Sequence, residues 1–128
     1  MNFRTPTGFC DANWAAPRSI SFTLVRWMNA ALLWRVHCQS TTALSTVESE
    51  LHALSEQARE MSYLAKIFTD LNLPVQPFPI FSDNRGAIEN AKHPCQKDNL
   101  KHVAIREFYV RDSLDKNTVT VHKIIGTQ

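Results

Sequence analysis

The sequence predicts a mixed α/β fold, with five strands in one sheet and helices on its faces in the order β-β-β-α-β-α-α-β. Its first third holds strand-like runs at 8–14, 20–28 and 30–38 with only turns between them, which makes an antiparallel meander. A long helix-period pattern then covers about 46–72. Runs at 78–83 and 118–125 each follow a helical stretch. Strands so placed join a sheet in parallel, through crossovers.

The length, 128 residues, suits one domain over 1–128. A hydrophobic share of 44% suffices for a core and excludes a disordered chain. With a net charge of only +2, affinity for nucleic acid has to come from a local patch. The three cysteines, Cys10, Cys38 and Cys95, are far apart and form no CxxC or Cys/His cluster. A zinc site or disulfide framework is therefore not expected, and a reducing, intracellular setting fits. No apolar run reaches membrane-spanning length, so no membrane partner is expected. The N-terminus lacks a signal peptide's charged-then-apolar order.

Met1 to Thr7 reads as a lead-in broken by Pro6. In the first strand, Phe9, Asp11 and Asn13 share one face and Cys10, Ala12 and Trp14 the other. An aspartate inside a strand opposes propensity. Either Asp11 lies solvated on an edge strand, or it is held rigidly for chemistry. Ile20 to Met28 and Ala30 to Cys38 form a hairpin turning at Asn29, with Trp27 and Trp34 read as core or hairpin packing.

The long helix opens on a capping box, Ser45 with Glu48 three residues on. With Val47 at zero and about 100° per residue, Leu51, Leu54, Ala58 and Met61 fall within ~40° of it on one stripe. Glu50 falls near ~300°, on the stripe's edge, and Glu48 near ~100°, away from it. Glu48 therefore caps, and Glu50 points toward whatever the helix packs on. A carboxylate there is costly unless it reaches water, a partner or a metal.

Pro74, Pro77 and Pro79 space out a linker after that helix. Phe78 to Asp83 is the fourth strand, and Asn84, Arg85 and Gly86 open a helix running to about Lys92. Asp83 stands where open α/β sheets place ligands, and could equally cap the helix. Cys95 to Asn99 is a polar loop, and Leu100 to Leu114 reads as a helix. Lys97, Lys101, His102, Arg106 and Arg111 make this region basic, as a solvated face or as a substrate contact. Thr118 to Ile125 alternates cleanly as the fifth strand.

The chain resembles the ribonuclease H domain of copia-type retrotransposon polyproteins over nearly its whole length. GFCDANWA is similar to that family's GYxDADWA, and QSTTALSTVESELHALSEQARE to its QxxVALSSTEAEYxALxxAxxE. IFSDNRGAIENAKHP is similar to IxxDNxxAIxxAxNP, and LKHVAIREFYVRD to TKHIDIRYHFIRE. The four blocks stand in family order with family spacing. The resemblance implies a ribonuclease H-like fold, with Asp11, Glu50 and Asp83 as catalytic, metal-binding acids. Oxygen-only ligands on rigid elements suit Mg²⁺ or Mn²⁺, two of which can clamp a scissile phosphate.

The implied reaction is endonucleolytic hydrolysis of the RNA strand of an RNA–DNA hybrid. A reverse transcriptase domain in cis is the implied partner, and a cytoplasmic virus-like particle or the nucleus the implied setting. Asn84, Lys101 and His102 are the candidate substrate contacts.

Some positions depart from the family pattern. Phe22 stands where a glycine is usual, so a shifted or distorted hairpin is expected. Ala104 replaces the aspartate of the KHID motif. The family's fourth acid, on a helix with a QLADxxTK motif, would follow Gln128, so that acid and the final helix are expected to be missing. These departures leave open an inactive remnant that keeps the fold and weak nucleic-acid binding. An integrase-like core has a similar sheet and acid set, but the ALST block on the long helix argues against it.

Overall fold

β1 (Thr7–Asn13) lies at the centre of a five-stranded sheet of order β3-β2-β1-β4-β5 in this computed structural model. Residues 5–15, 17–40, 42–43, 45–92 and 109–124 are described. β2 (Ile20–Trp27) and β3 (Ala30–Cys38) continue the antiparallel meander. β4 (Phe78–Ser82) and β5 (Val119–Lys123) add in parallel on the other side. The sheet is therefore mixed, as the alternating runs and crossovers predict.

The hairpin closes at Met28 and Asn29, whose φ values of 54° and 66° both lie in the left-handed region. A two-residue turn of that kind matches the twist of its flanking strands. Phe22 keeps regular pairing, opposite Asp11 on one side and Val36 on the other. The one irregularity of the hairpin register falls between Val25 and Arg26, away from Phe22.

α1 (Thr46–Asp70) starts at Ser45, whose hydroxyl accepts from the Glu48 amide at 3.1 Å. It stops at a left-handed residue, Asn72, at φ 57°. There Leu73 N–H donates to the Phe68 carbonyl at 2.8 Å and Asn72 N–H to Thr69 at 3.1 Å. This Schellman pattern satisfies carbonyls that the helix end would otherwise orphan. The helical residues 109–115 stop in the same way at Asn117, with Thr118 N–H on the Ser113 carbonyl at 3.0 Å.

The core lies between one sheet face and the helices. Cys10, Val25, Ile80, Val119 and Val121 meet Leu51, Leu54, Ala58, Met61 and Phe68 of α1. Ile88 and Ala91 of α2 (Arg85–Lys92), with Val110, complete it. Burying side chains of this size stabilises by about 1.5–3 kcal/mol each before entropy is counted.

Two packing expectations are corrected. Glu48 caps but does not point away from the core: it is 4% exposed, and every residue from Glu48 to Ser55 is buried. α1 packs on α2 as well as on the sheet, so more of the helix than its sheet-facing stripe is covered. Trp34 is not packed either, being 71% exposed. It stands on the edge strand β3, on the sheet face that no described helix covers. Trp27 does pack, with its ring 5.0 Å from that of Phe68.

Candidate metal-binding acid cluster

The cluster forms where the parallel pairing of β1 with β4 stops. β1 and β4 pair in register through Cys10 and Ser82. The next residue on each chain is an aspartate, Asp11 and Asp83. One residue beyond the last β1–β4 pair on each strand thus sets two carboxylates side by side, Asp11 still paired with β2 and Asp83 just past the end of β4. Cys10 and Ser82 are both buried, which anchors the two strand ends. Glu50 arrives from the first turns of α1, which pack against β1 and β4.

Carboxylate oxygens of Asp11, Glu50 and Asp83 all lie within 4.8 Å of one another. Glu50 is buried while the two aspartates are exposed, so the cluster opens to solvent on the aspartate side. The Ala12 amide donates to Asp11 Oδ1 at 2.9 Å, fixing that side chain. Glu50 Oε2 is buried and has no hydrogen-bond partner among the described residues.

Crowding of like charge shows in the titration of the group. Burial pushes the Glu50 carboxyl up to about 8. The charge of Asp11, a hydrogen bond with Asp11 and the charge of Asp83 push the same way, and the Ala12 amide opposes them. Asp83 is also raised, by burial first and then by the Asp11 charge. Its own backbone amide and the Lys123 ammonium hold it down. The Cys10 thiol is pushed far above the ordinary range by burial, with all three acids adding to it. It is a packing group, and its Sγ lies 3.8 Å from the Phe81 carbonyl.

A site made only of carboxylate oxygens, one of them buried and unpartnered, fits a hard divalent cation such as Mg²⁺ or Mn²⁺. Such an ion would offset the burial and the like-charge repulsion that raise Glu50 and Asp83.

Of the expected substrate contacts, Asn84 lies beside the cluster. Its Oδ1 accepts from Ala87 N–H at 2.9 Å, capping α2, and its own amide donates to Ser82 Oγ at 3.3 Å. Lys101 and His102 lie outside the described residues. Ser82, Cys10 and Lys123 have no motif-level signal, since each reaches the cluster through strand register.

No protein-family model matches the chain. It is 28% identical over 121 residues to the retrovirus-related Pol polyprotein from transposon TNT 1-94 of Nicotiana tabacum, a match covering 91% of this chain and 9% of that relative. A match to the corresponding polyprotein from transposon RE1 of Arabidopsis thaliana has 24% identity over 118 residues, 88% of this chain and 8% of the relative. The chain thus spans less than a tenth of the length of these curated relatives.

Among solved structures, the N-terminal RNase H domain of rv2228c from Mycobacterium tuberculosis superposes with a TM-score of 0.69 at 7% identity, over 96% of this chain and 84% of that one. LC11-RNase H1 in complex with an RNA/DNA hybrid gives 0.68 at 8% identity, over 93% and 84%. The prototype foamy virus protease-reverse transcriptase gives 0.64 at 12%, over 100% of this chain and 19% of that one. At such identities the likeness is one of fold. The homologues of this chain, over most of its length, are copia-type retrovirus-related Pol polyproteins, and its fold is that of ribonuclease H.

Proposed function

We propose that residues 1–128 form a ribonuclease H-type endonuclease domain of a retrotransposon Pol polyprotein, cutting the RNA strand of RNA–DNA hybrids. The observation that carries this reading is the meeting of Asp11, Glu50 and Asp83 within 4.8 Å at the end of the sheet. Relatives that are Pol polyproteins support it, as do neighbours solved with an RNA/DNA hybrid or within a reverse transcriptase.

Asp11, Glu50 and Asp83 would hold two Mg²⁺ or Mn²⁺ ions. When bound, such ions orient an attacking water and offset charge on the leaving oxygen of a phosphodiester. The exposed aspartates face the solvent from which a duplex arrives, and buried Glu50 backs them from the core side. Asp11 lies within a paired strand, Asp83 directly follows one, and Glu50 rides a packed helix, so their spacing is stiff. Asn84 would contact the substrate through its Nδ2, since its Oδ1 caps α2. Lys101 and His102 would add phosphate contacts. Discrimination of RNA from DNA would rest on the 2′-hydroxyl, with little reading of bases.

The test is cleavage of a labelled RNA–DNA hybrid in Mg²⁺ and in Mn²⁺, with Asp83→Asn alongside. The expected result is cutting of the RNA strand by the wild type alone. Equal cutting by both proteins rules the site out. Hybrid binding without cutting favours the inactive remnant, for which Ala104 in place of the family aspartate is the specific observation.

A further inference from the structure

β5 ends at the acid cluster, and its last residue is a cation. In the parallel β4–β5 pairing Lys123 stands opposite Ser82, the residue before Asp83. The Ile124 amide donates to the Ser82 carbonyl at 2.9 Å, which holds the register through the strand end. Neighbouring strands lie about 4.8 Å apart, so the base of the Lys123 side chain is close to Asp83.

Val119, Val121 and Lys123 share one side of β5. The two valines are buried and Lys123 is exposed. That side is the one α1 covers, the helix that delivers Glu50. The strand therefore outruns the core at its last residue, leaving Lys123 exposed at the end of the sheet where Asp83 follows β4.

A lysine placed only to neutralise the acids would oppose a divalent ion in the same field. A lysine at the rim has a second use, because the anion brought to such a site is a phosphodiester. We propose that Lys123 binds a backbone phosphate of the nucleic-acid strand lying over Asp11, Glu50 and Asp83. This rests on the nuclease reading and names a substrate contact for it. The ammonium is a point charge on a flexible stem, suited to a phosphate and indifferent to base identity.

The experiment measures hybrid binding by fluorescence anisotropy, with Ca²⁺ in place of Mg²⁺, over about 50–200 mM salt. Wild type, Lys123→Gln and Lys123→Arg are compared. The glutamine variant is expected to bind several-fold more weakly, with a salt slope smaller by about one unit. The arginine variant is expected to keep both. Wild-type affinity and slope in the glutamine variant would overturn the proposal. So would a change confined to Mg²⁺ affinity, read as the Mg²⁺ dependence of thermal stability, because that marks a counter-ion to Asp83. A wild type that neither binds nor cuts hybrid defeats the nuclease reading and this contact together. A wild type that cuts, beside a glutamine variant that binds equally well, defeats the Lys123 contact alone.

Discussion

Gly8 on β1 and Gln57 on α1 approach so closely that a Cβ on residue 8 would lie 2.5 Å from Gln57 Nε2. The same Cβ would lie 2.8 Å from the Met61 methyl carbon. Gln57 and Met61 are both fully buried, so neither has open space to move into. Gly8 is on the strand that carries Asp11, and Gln57 is about two turns along α1 from Glu50. The absence of a side chain at Gly8 leaves room for these two, where the helix that carries Glu50 packs on the strand that carries Asp11.

Gly8→Ala is expected to destabilise by about 1–3 kcal/mol, as overpacking of a filled core does. Chemical denaturation measures it. Adding Gln57→Ala should recover part of the loss, because the two positions share one space. A single alanine variant as stable as the wild type would show that α1 can shift without cost.

Asp11→Asn and Glu50→Gln should each abolish hybrid cleavage, by on the order of 100-fold or more, since small displacements at such a site are already that costly. Neither should unfold the protein. Glu50→Gln should raise the denaturation midpoint of the metal-free protein at pH 8, because it removes a buried carboxylate from among like charges. A lower midpoint would mean that Glu50 is held by a partner other than the two aspartates.

The pH dependence of metal-free stability has a definite sign. In the folded chain the Glu50 carboxyl titrates at about 8, above its ordinary value of 4.5. Between those values the native state holds a proton that the unfolded chain has lost. Stability from this group therefore falls as pH rises from about 4.5 to about 8. Thermal melts across that window should show the fall in the wild type and a flatter profile in Glu50→Gln. Saturating Mg²⁺ should remove most of it, since the ion takes the proton's place. A wild-type profile that rises over the window would contradict the crowded-acid geometry.

Trp34 is 71% exposed and Val36 64% exposed, on β3, which pairs with β2 alone among the described strands. Trp34→Ser should change stability by no more than about 0.5 kcal/mol, as for exposed positions generally. It should also reduce self-association at high concentration, because long apolar edges template pairing. Light scattering and denaturation test the two halves. A large loss of stability would show that this face is covered in solution.

Much of the site was legible in the chain before any coordinates. Asp11 stood out as an aspartate inside a strand, Asp83 as an acid between a strand and a helix, and Glu50 as an acid on the edge of an apolar stripe. Each is an oddity against a local pattern, and local patterns are what a sequence displays. Alternation fixed the strands for the same reason, Ser45 with Glu48 marked the start of α1, and Asn29 marked the hairpin turn. The meeting of the three acids was only implied, because it depends on the register of β1 with β4 and on how α1 packs against them.

Other features were decided by tertiary structure alone. Glu48 looked exposed on a helical wheel and is buried, because a wheel does not show what packs on a helix from elsewhere in the chain. Trp34 looked like core or hairpin packing and is exposed, because strand order puts β3 at the sheet's edge. Lys123 carried no signal at all and stands by Asp83 through the pairing of β4 with β5. By itself the sequence determined which segments are strands and helices and which residues are out of place in them, since both follow from the period of neighbouring side chains. Only the tertiary structure decided what covers each face and which charges meet, since those depend on residues far apart along the chain.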